Sequence, residues 1–345
     1  MPLHTQLYPV AADNRREALA LAAELIAAGQ LVAFPTETVY GLGADALNPA
    51  AAARIYAAKG RPSDNPLIVH VAGRSQVESL AARVPDAALR LMDAFWPGPL
   101  TIVLPKRPIV PDAVTGGMDT VALRMPDHPL ALELIAASRP LAAPSANRSG
   151  LPSPTRAEHV YRDLAGRIPL ILDGGPCRVG VESTVISLVD EPIVLRPGGV
   201  TPEMLARAIG PVRVHESALA PLQGRALSPG MKYQHYAPRA QVLIADGPDT
   251  PRRIREQCAR DEAAGLHPVV LALDEDRAEY RGLDLVPLGS RARPESVAAA
   301  LFDALRRCDE LGADRVYAET VPAEGVGLAV MNRLLRAAGF RHMEG

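Results

Sequence analysis

Residues 30–70 constrain this chain more than any other stretch, because they set two apolar strands on either side of one capped helix. Leu31 to Phe34 is a strand candidate that stops at Pro35, which has no N–H with which to extend a central ladder. Asn48-Pro49 reads as a helix start, a capping side chain followed by proline in the first turn. The helix is predicted to run to about Ala58, with Gly60 as its left-handed terminator. Pro66 to Val71 is the second apolar strand, and it carries His70 in its interior. Drawn as extended chain, Thr36 to Tyr40 puts the hydroxyls of Thr36, Thr38 and Tyr40 on one face. Gly41 and Gly43 then permit tight turns or a close backbone approach. Lys59 and Arg61 flank the terminating glycine. Hydroxyls, glycines, paired cations and a histidine between two buried strands point to a site for something small and anionic.

At 345 residues, 48% of them hydrophobic, the chain has material for two domains with substantial cores. Its net charge of −2 gives no global reason to bind nucleic acid, so such binding would need a local basic patch. Cys177, Cys258 and Cys308 are odd in number, far apart and without metal-ligand spacing. They read as reduced thiols, which together with the absence of a secretory leader or a membrane-length apolar run predicts a cytoplasmic protein. Lysine occurs only at positions 59, 106 and 232 in an arginine-rich chain. A compact ammonium at those places is a weak pointer to function.

Along the rest of the chain, helices are expected over 14–28, 86–95, 128–138, 155–164 and 202–209, with strands at 100–104, 120–125, 140–143, 169–173, 183–189 and 192–196. In the strand at 120–125, alternation sets Thr120 and Arg124 on the face opposite Val121 and Leu123. Residues 216–240 lose all periodicity and hold several proline and glycine breaks, as a linker would. From 241 the pattern restarts as alternating strands and helices, which implies a smaller three-layer α/β domain with a mainly parallel sheet. The expected organisation is therefore a first domain over 1–215, a linker over 216–240 and a second domain over 241–345.

Familiar catalytic signatures are missing. Gly41 to Ala46 fits a loose dinucleotide pattern, but its helix cap lies beyond the motif, so it is rejected as a Rossmann fingerprint. No P-loop, zincin, α/β-hydrolase or S-x-x-K pattern occurs. Lys59 and Arg61 alone are explained as cations complementing a helix dipole, and His70 as a core histidine. Arg124, inside an apolar strand, must be paired or face a cavity. Ser145 and Asn147 alone read as turn formers, and Arg196 repeats the position of Arg124 at a strand end. Taken together they gather phosphate and carboxylate partners at strand ends, without a nucleophile. That inventory suits positioning of anionic reactants and neutralisation of developing charge, as in phosphoryl or nucleotidyl transfer.

The segments FPTETVYGLG, AKGRP followed by NPLIVH, APSAN with the later Ser153, and SPGMKYQHYAP together resemble L-threonylcarbamoyladenylate synthases of the long, two-domain form. The resemblance implies a YrdC-like catalytic domain, a twisted mixed open sheet with flanking helices, followed by a smaller Rossmann-like three-layer α/β domain. It implies synthesis of threonylcarbamoyl-AMP and pyrophosphate from L-threonine, bicarbonate or carbon dioxide, and ATP with Mg²⁺, with no protein-bound metal site. The product would pass to the tRNA threonylcarbamoyl-transfer machinery; direct tRNA binding is left open, and no membrane is involved. By position, Thr38, His70, Arg124, Ser145 and Ser183 would surround threonine. Arg61, Asn65, Thr120, Asn147, Ser153, Arg196 and Tyr236 would hold ATP, and Lys59 with Arg61 would counter phosphate charge. The match leaves open whether Thr36 or Thr38 meets threonine. If Tyr236 returns to the nucleotide, the linker would act as a lid. An RNA-binding module without catalysis, and carbamoyl transfer from carbamoyl phosphate, stand as the competing readings.

Overall fold

The computed structural model describes residues 3–221 and 236–344. The chain divides into two compact units. Unit 1 takes residues up to Ser149 and Ser153–Ser217. Unit 2 takes Gly150–Pro152, Ala218–Pro221 and the described residues from Tyr236 onward.

Unit 1 contains strands β1 (Gln6–Pro9), β2 (Val32–Phe34), β3 (Gly41–Asp45), β4 (Ile68–His70), β5 (Leu100–Pro105), β6 (Thr120–Arg124), β7 (Leu141–Ala142), β8 (Leu170–Asp173), β9 (Thr184–Ser187), β10 (Ile193–Arg196) and β11 (Arg213–Val214). They form one mixed sheet in the order β1-β8-β2-β3-β7-β4-β6-β5-β9-β10-β11. Its helices are α1 (Arg15–Ala27), α2 (Pro49–Lys59), α3 (Arg74–Leu80), α4 (Asp86–Phe95), α5 (Asp112–Thr115), α6 (Pro129–Ala137), α7 (Ala157–Leu164) and α8 (Pro202–Ile209). Strand alternation sorts the core into two layers. Leu31 and Ala33 join a cluster with Leu42, Ile55, Val69 and Leu123, whereas Val32 and Phe34 join Ala18, Ile26, Leu130 and Leu141. Burial on both faces is why these strands read as continuous apolar runs.

Helix α2 forms as its ends dictate. The Asn48 side chain accepts from the N–H groups of Ala50 and Ala51, and Gly60 closes the helix with φ 63° and ψ 40°. The stretch before it departs from the extended drawing and decides between the two readings of its glycines. Residues 35–40 are irregular, because the Thr36 hydroxyl folds back to donate to Val39 O at 2.6 Å and accepts from the N–H of Thr38 and Val39. Gly41 and Gly43 lie in β3, which pairs antiparallel to β2, rather than in turns. The close approach is real: a Cβ on Gly43 would stand 2.7 Å from Phe34 Cε1. Strands β1, β3 and β11 and helices α3 and α5 were not foreseen.

Unit 2 contains β12 (Gln241–Ala245), β13 (Pro268–Leu273), β14 (Leu285–Gly289) and β15 (Arg315–Glu319), all parallel, in the order β12-β15-β13-β14. Helix α9 (Thr250–Ala263) follows β12, α10 (Pro294–Glu310) follows β14, and α11 (Val326–Ala337) follows β15. Ile254 and Cys258 of α9 pack among Val270, Ala272 and Tyr317 of the sheet, while α10 packs against α11 and β14. No helix among the described residues is long and apolar enough to cross a membrane.

Candidate active site

The sheet of unit 1 brings residues from distant parts of the chain side by side. His70 ends β4 and is paired in register with Arg124, which ends β6. Arg124 is in turn opposite Thr101 of β5. Thr101 Oγ1 lies 2.8 Å from Ser183 Oγ. Arg196 donates to Ser183 O from Nε at 3.1 Å and Nη2 at 2.9 Å, and from Nη2 to Ser183 Oγ at 3.1 Å. One continuous line of contacts therefore joins His70, Arg124, Ser183 and Arg196. Thr101 links them and was not picked out from the sequence; the signal was a hydroxyl inside the apolar run Leu100 to Leu104.

Arg124 also reaches the loop after β2. Its Nη2 donates to Thr38 Oγ1 at 3.0 Å and lies 2.7 Å from Glu37 Oε1. The hydroxyl protons here have fixed directions. Thr36 spends its own proton on Val39 O, so across the 2.9 Å contact between the two hydroxyls Thr38 is the donor. Thr38 thus gives its proton to Thr36 and accepts from Arg124, which leaves one lone pair for a further donor. Thr36 has no proton left to give. Glu37 was also missed, although a carboxylate between two fully apolar strands is an anomaly of the same kind as Arg124.

Lys59 leaves the C-terminal end of α2 and is only 3% exposed. Its Nζ donates to Ser145 O at 2.5 Å and to Asn147 O at 2.6 Å, tying down the loop after β7. Ser145 also bridges to Gly41 of β3. Burial holds the Lys59 ammonium well below its usual range, and the neighbouring Arg61 pushes in the same direction. Arg61 arches over the following loop, donating to Pro66 O at 3.1 Å and Asn65 O at 3.4 Å. The Asn65 side chain is buried, and neither its Nδ2 nor its Oδ1 has a hydrogen-bond partner among the described residues. Ser153 donates to Glu182 Oε1 at 2.5 Å. Thr120 opens β6 opposite Pro105 and is partly exposed.

His70 is neutral at physiological pH. Burial first, and then the adjacent Arg124 charge, lower it to about 3. Its Nδ1 has no partner among the described residues, and its ring meets the Phe34 ring edge-on, with centroids 6.3 Å apart. A buried neutral imidazole offers a hydrogen bond rather than a charge.

Tyr236 belongs to unit 2, where its ring packs on Phe302 with centroids 5.0 Å apart, and Arg333 Cζ lies 5.9 Å above it. Its φ of 68° is left-handed, an uncommon conformation for a tyrosine. Most of the expected lid, residues 222–235, lies outside the described residues.

Among the described residues no group of three or more histidine, cysteine or acidic side chains is placed to hold a metal ion. The chemistry available is that of fixed donors and cations: a guanidinium at Arg124 with its Nε unsatisfied, orphaned amide atoms at Asn65, and a lysine–arginine pair at a helix end.

Comparison with known proteins agrees over both halves of the chain. Residues 24–198 match a family model, Sua5_yciO_yrdC, described as telomere recombination, and residues 200–339 match threonylcarbamoyl-AMP synthase, C-terminal domain. The chain is 52% identical over 326 residues to a threonylcarbamoyl-AMP synthase of Bacillus subtilis, covering 94% of this chain and 93% of that protein. It is 51% identical over 328 residues to one from Pyrococcus abyssi, covering 93% and 94%. The crystal structure of P. abyssi Sua5 complexed with L-threonine superposes with a TM-score of 0.93 at 48% identity, over 98% of this chain and 99% of that one. The chain belongs to the two-domain Sua5 family of threonylcarbamoyl-AMP synthases.

Proposed function

We propose that this enzyme condenses L-threonine with bicarbonate or carbon dioxide and adenylates the resulting carbamate with ATP, in the cytoplasm, for tRNA N6-threonylcarbamoyladenosine formation. The observation that carries the site assignment is Arg124, a buried guanidinium with an unsatisfied Nε next to a hydroxyl that can only accept. A threonine carboxylate would take the open guanidinium edge, a charge-assisted contact worth about 1.5–3 kcal/mol. Thr38 rather than Thr36 would meet threonine, through a donor on the amino acid, because the Thr36 hydroxyl is already committed. His70, Ser145 and Ser183 complete the proposed threonine subsite.

In the first step the threonine nitrogen bonds to the carboxyl carbon; with bicarbonate, water and one proton leave. A carbamate oxygen then attacks the α-phosphorus, and the bond from that phosphorus to the bridging oxygen of pyrophosphate breaks. Lys59 and Arg61 would counter the charge accumulating on the departing pyrophosphate. Arg61, Asn65, Thr120, Asn147, Ser153, Arg196 and Tyr236 would hold the nucleotide, which brings Mg²⁺ as its own counter-ion. Residues 216–240 would join the two domains over 1–215 and 241–345 and close over the nucleotide.

Pyrophosphate release tests the reading, with threonine and bicarbonate omitted in turn. Release should need both, and release that is indifferent to threonine would overturn it. Salt-sensitive RNA binding without threonine-dependent release would favour the RNA-binding alternative.

A further inference from the structure

We infer that Glu37 is a positioning residue of the threonine subsite, acting through Arg124. This rests on the proposed role of Arg124 as the carboxylate-binding group. Glu37 leaves the loop after β2, and its side chain is fully buried. Its carboxylate lies 2.7 Å from Arg124 Nη2, yet neither oxygen has a properly aligned hydrogen-bond donor among the described residues. A buried carboxylate without hydrogen bonds acts as a counter-charge and little else.

The counter-charge matters because of how the guanidinium is left. Arginine carries its donors on a rigid planar fork, so fixing one nitrogen orients the others. Arg124 Nη2 is fixed twice, by Glu37 and by Thr38 Oγ1 at 3.0 Å. Nε remains buried without a partner among the described residues. Glu37 thus holds one nitrogen and leaves the adjacent edge open to a carboxylate. It also balances a charge facing His70, which is held neutral and cannot share the burden. An amide at position 37 keeps the shape and loses the balance, so the guanidinium would turn toward other acceptors and present its edge wrongly.

The test is a double-mutant cycle in the full-length enzyme, reading pyrophosphate release and thermal unfolding. Glu37→Gln should raise KM for L-threonine tenfold or more and leave KM for ATP within twofold. Arg124→Ala should raise KM for threonine further. Adding Glu37→Gln to Arg124→Ala should change that KM less than twofold and raise Tm above that of Arg124→Ala, because the stranded carboxylate is gone. A KM for threonine within twofold of wild type in Glu37→Gln, with Arg124→Ala impaired, overturns the inference alone. So do fully additive effects, or a KM for ATP that moves as far as that for threonine. Unchanged threonine kinetics in Arg124→Ala overturn the Arg124 assignment and this inference with it. If Glu37→Gln does not fold, Glu37→Asp replaces it: an elevated KM for threonine alone supports the inference, and wild-type kinetics overturn it.

Discussion

Replacing Gly43 by alanine asks whether the close approach of β3 to Phe34 supports the threonine subsite. The new Cβ would stand 2.7 Å from Phe34 Cε1 and 3.4 Å from both Phe34 Cδ1 and Leu141 Cδ1. Ordinary carbon contacts begin near 3.4 Å, so the ring has to retreat by about 0.7 Å. Phe34 is fully buried, so this is overpacking, which costs about 1–3 kcal/mol. Gly43 does not sit at positive φ, so alanine adopts its backbone without strain and recovers about 0.4–1 kcal/mol from a less flexible unfolded chain. The net expectation is a loss between about 0 and 2.6 kcal/mol, a Tm lowered by up to roughly 10 °C for a unit of this size. Phe34 meets His70 edge-on at 6.3 Å, so the displaced ring should also disturb His70 and raise KM for threonine more than KM for ATP. Gly41→Ala, whose Cβ would sit 3.2 Å from Phe34 Cζ, should show a smaller effect in the same direction. Calorimetry and steady-state pyrophosphate release on both variants test this. A higher Tm in Gly43→Ala would refute the steric reasoning, because the backbone gain of about 0.4–1 kcal/mol does not exceed an overpacking cost of about 1–3 kcal/mol.

Other substitutions separate chemistry from structure. Arg61→Ala should reduce pyrophosphate release at least a hundredfold, because the charge proposed to meet the departing pyrophosphate is lost; near-normal turnover contradicts its catalytic role. Thr38→Val should raise KM for threonine and also lose about 1–3 kcal/mol, because Arg124 Nη2 loses a buried acceptor. Thr36→Val should lose a similar amount, because its bond to Val39 O and its acceptance of two backbone N–H groups vanish together, while KM for threonine stays closer to wild type; a larger rise in that KM for Thr36→Val than for Thr38→Val would exchange the two roles. In unit 2, burial above all pushes the Glu319 carboxyl up to about 7. An acid raised in the native state contributes stability below its unfolded value near 4.5 and loses it as pH climbs through about 7. The Tm of Glu319→Gln should therefore vary less between pH 5 and pH 8 than that of wild type, and an equal slope in calorimetry would argue against the titration.

Much of this protein follows from local rules that a sequence carries openly. The Asn48-Pro49 cap and the Gly60 terminator fix α2 because they satisfy or end the backbone ladder within a few residues. The alternating strands and helices from 241 onward leave few arrangements other than a parallel sheet covered on both faces. Side-chain chemistry was legible too: a charge at Arg124 within an apolar strand demanded a partner, and the ordered motifs resembled one family. What could not be read was which partner, because Glu37 and Thr38 lie in a loop distant in sequence, and only the packed fold brings that loop and Thr101, with Ser183 behind it, to Arg124. Residues 35–40 show the limit at short range. Their composition allows an extended run, but one hydroxyl on Thr36 captures the backbone and turns it. The direction of the proton on Thr38, the open Nε of Arg124 and the depressed basicity of Lys59 are likewise set by burial and by neighbours far along the chain. Propensity and capping act over a few residues, whereas desolvation and hydrogen-bond direction depend on the whole packed sheet.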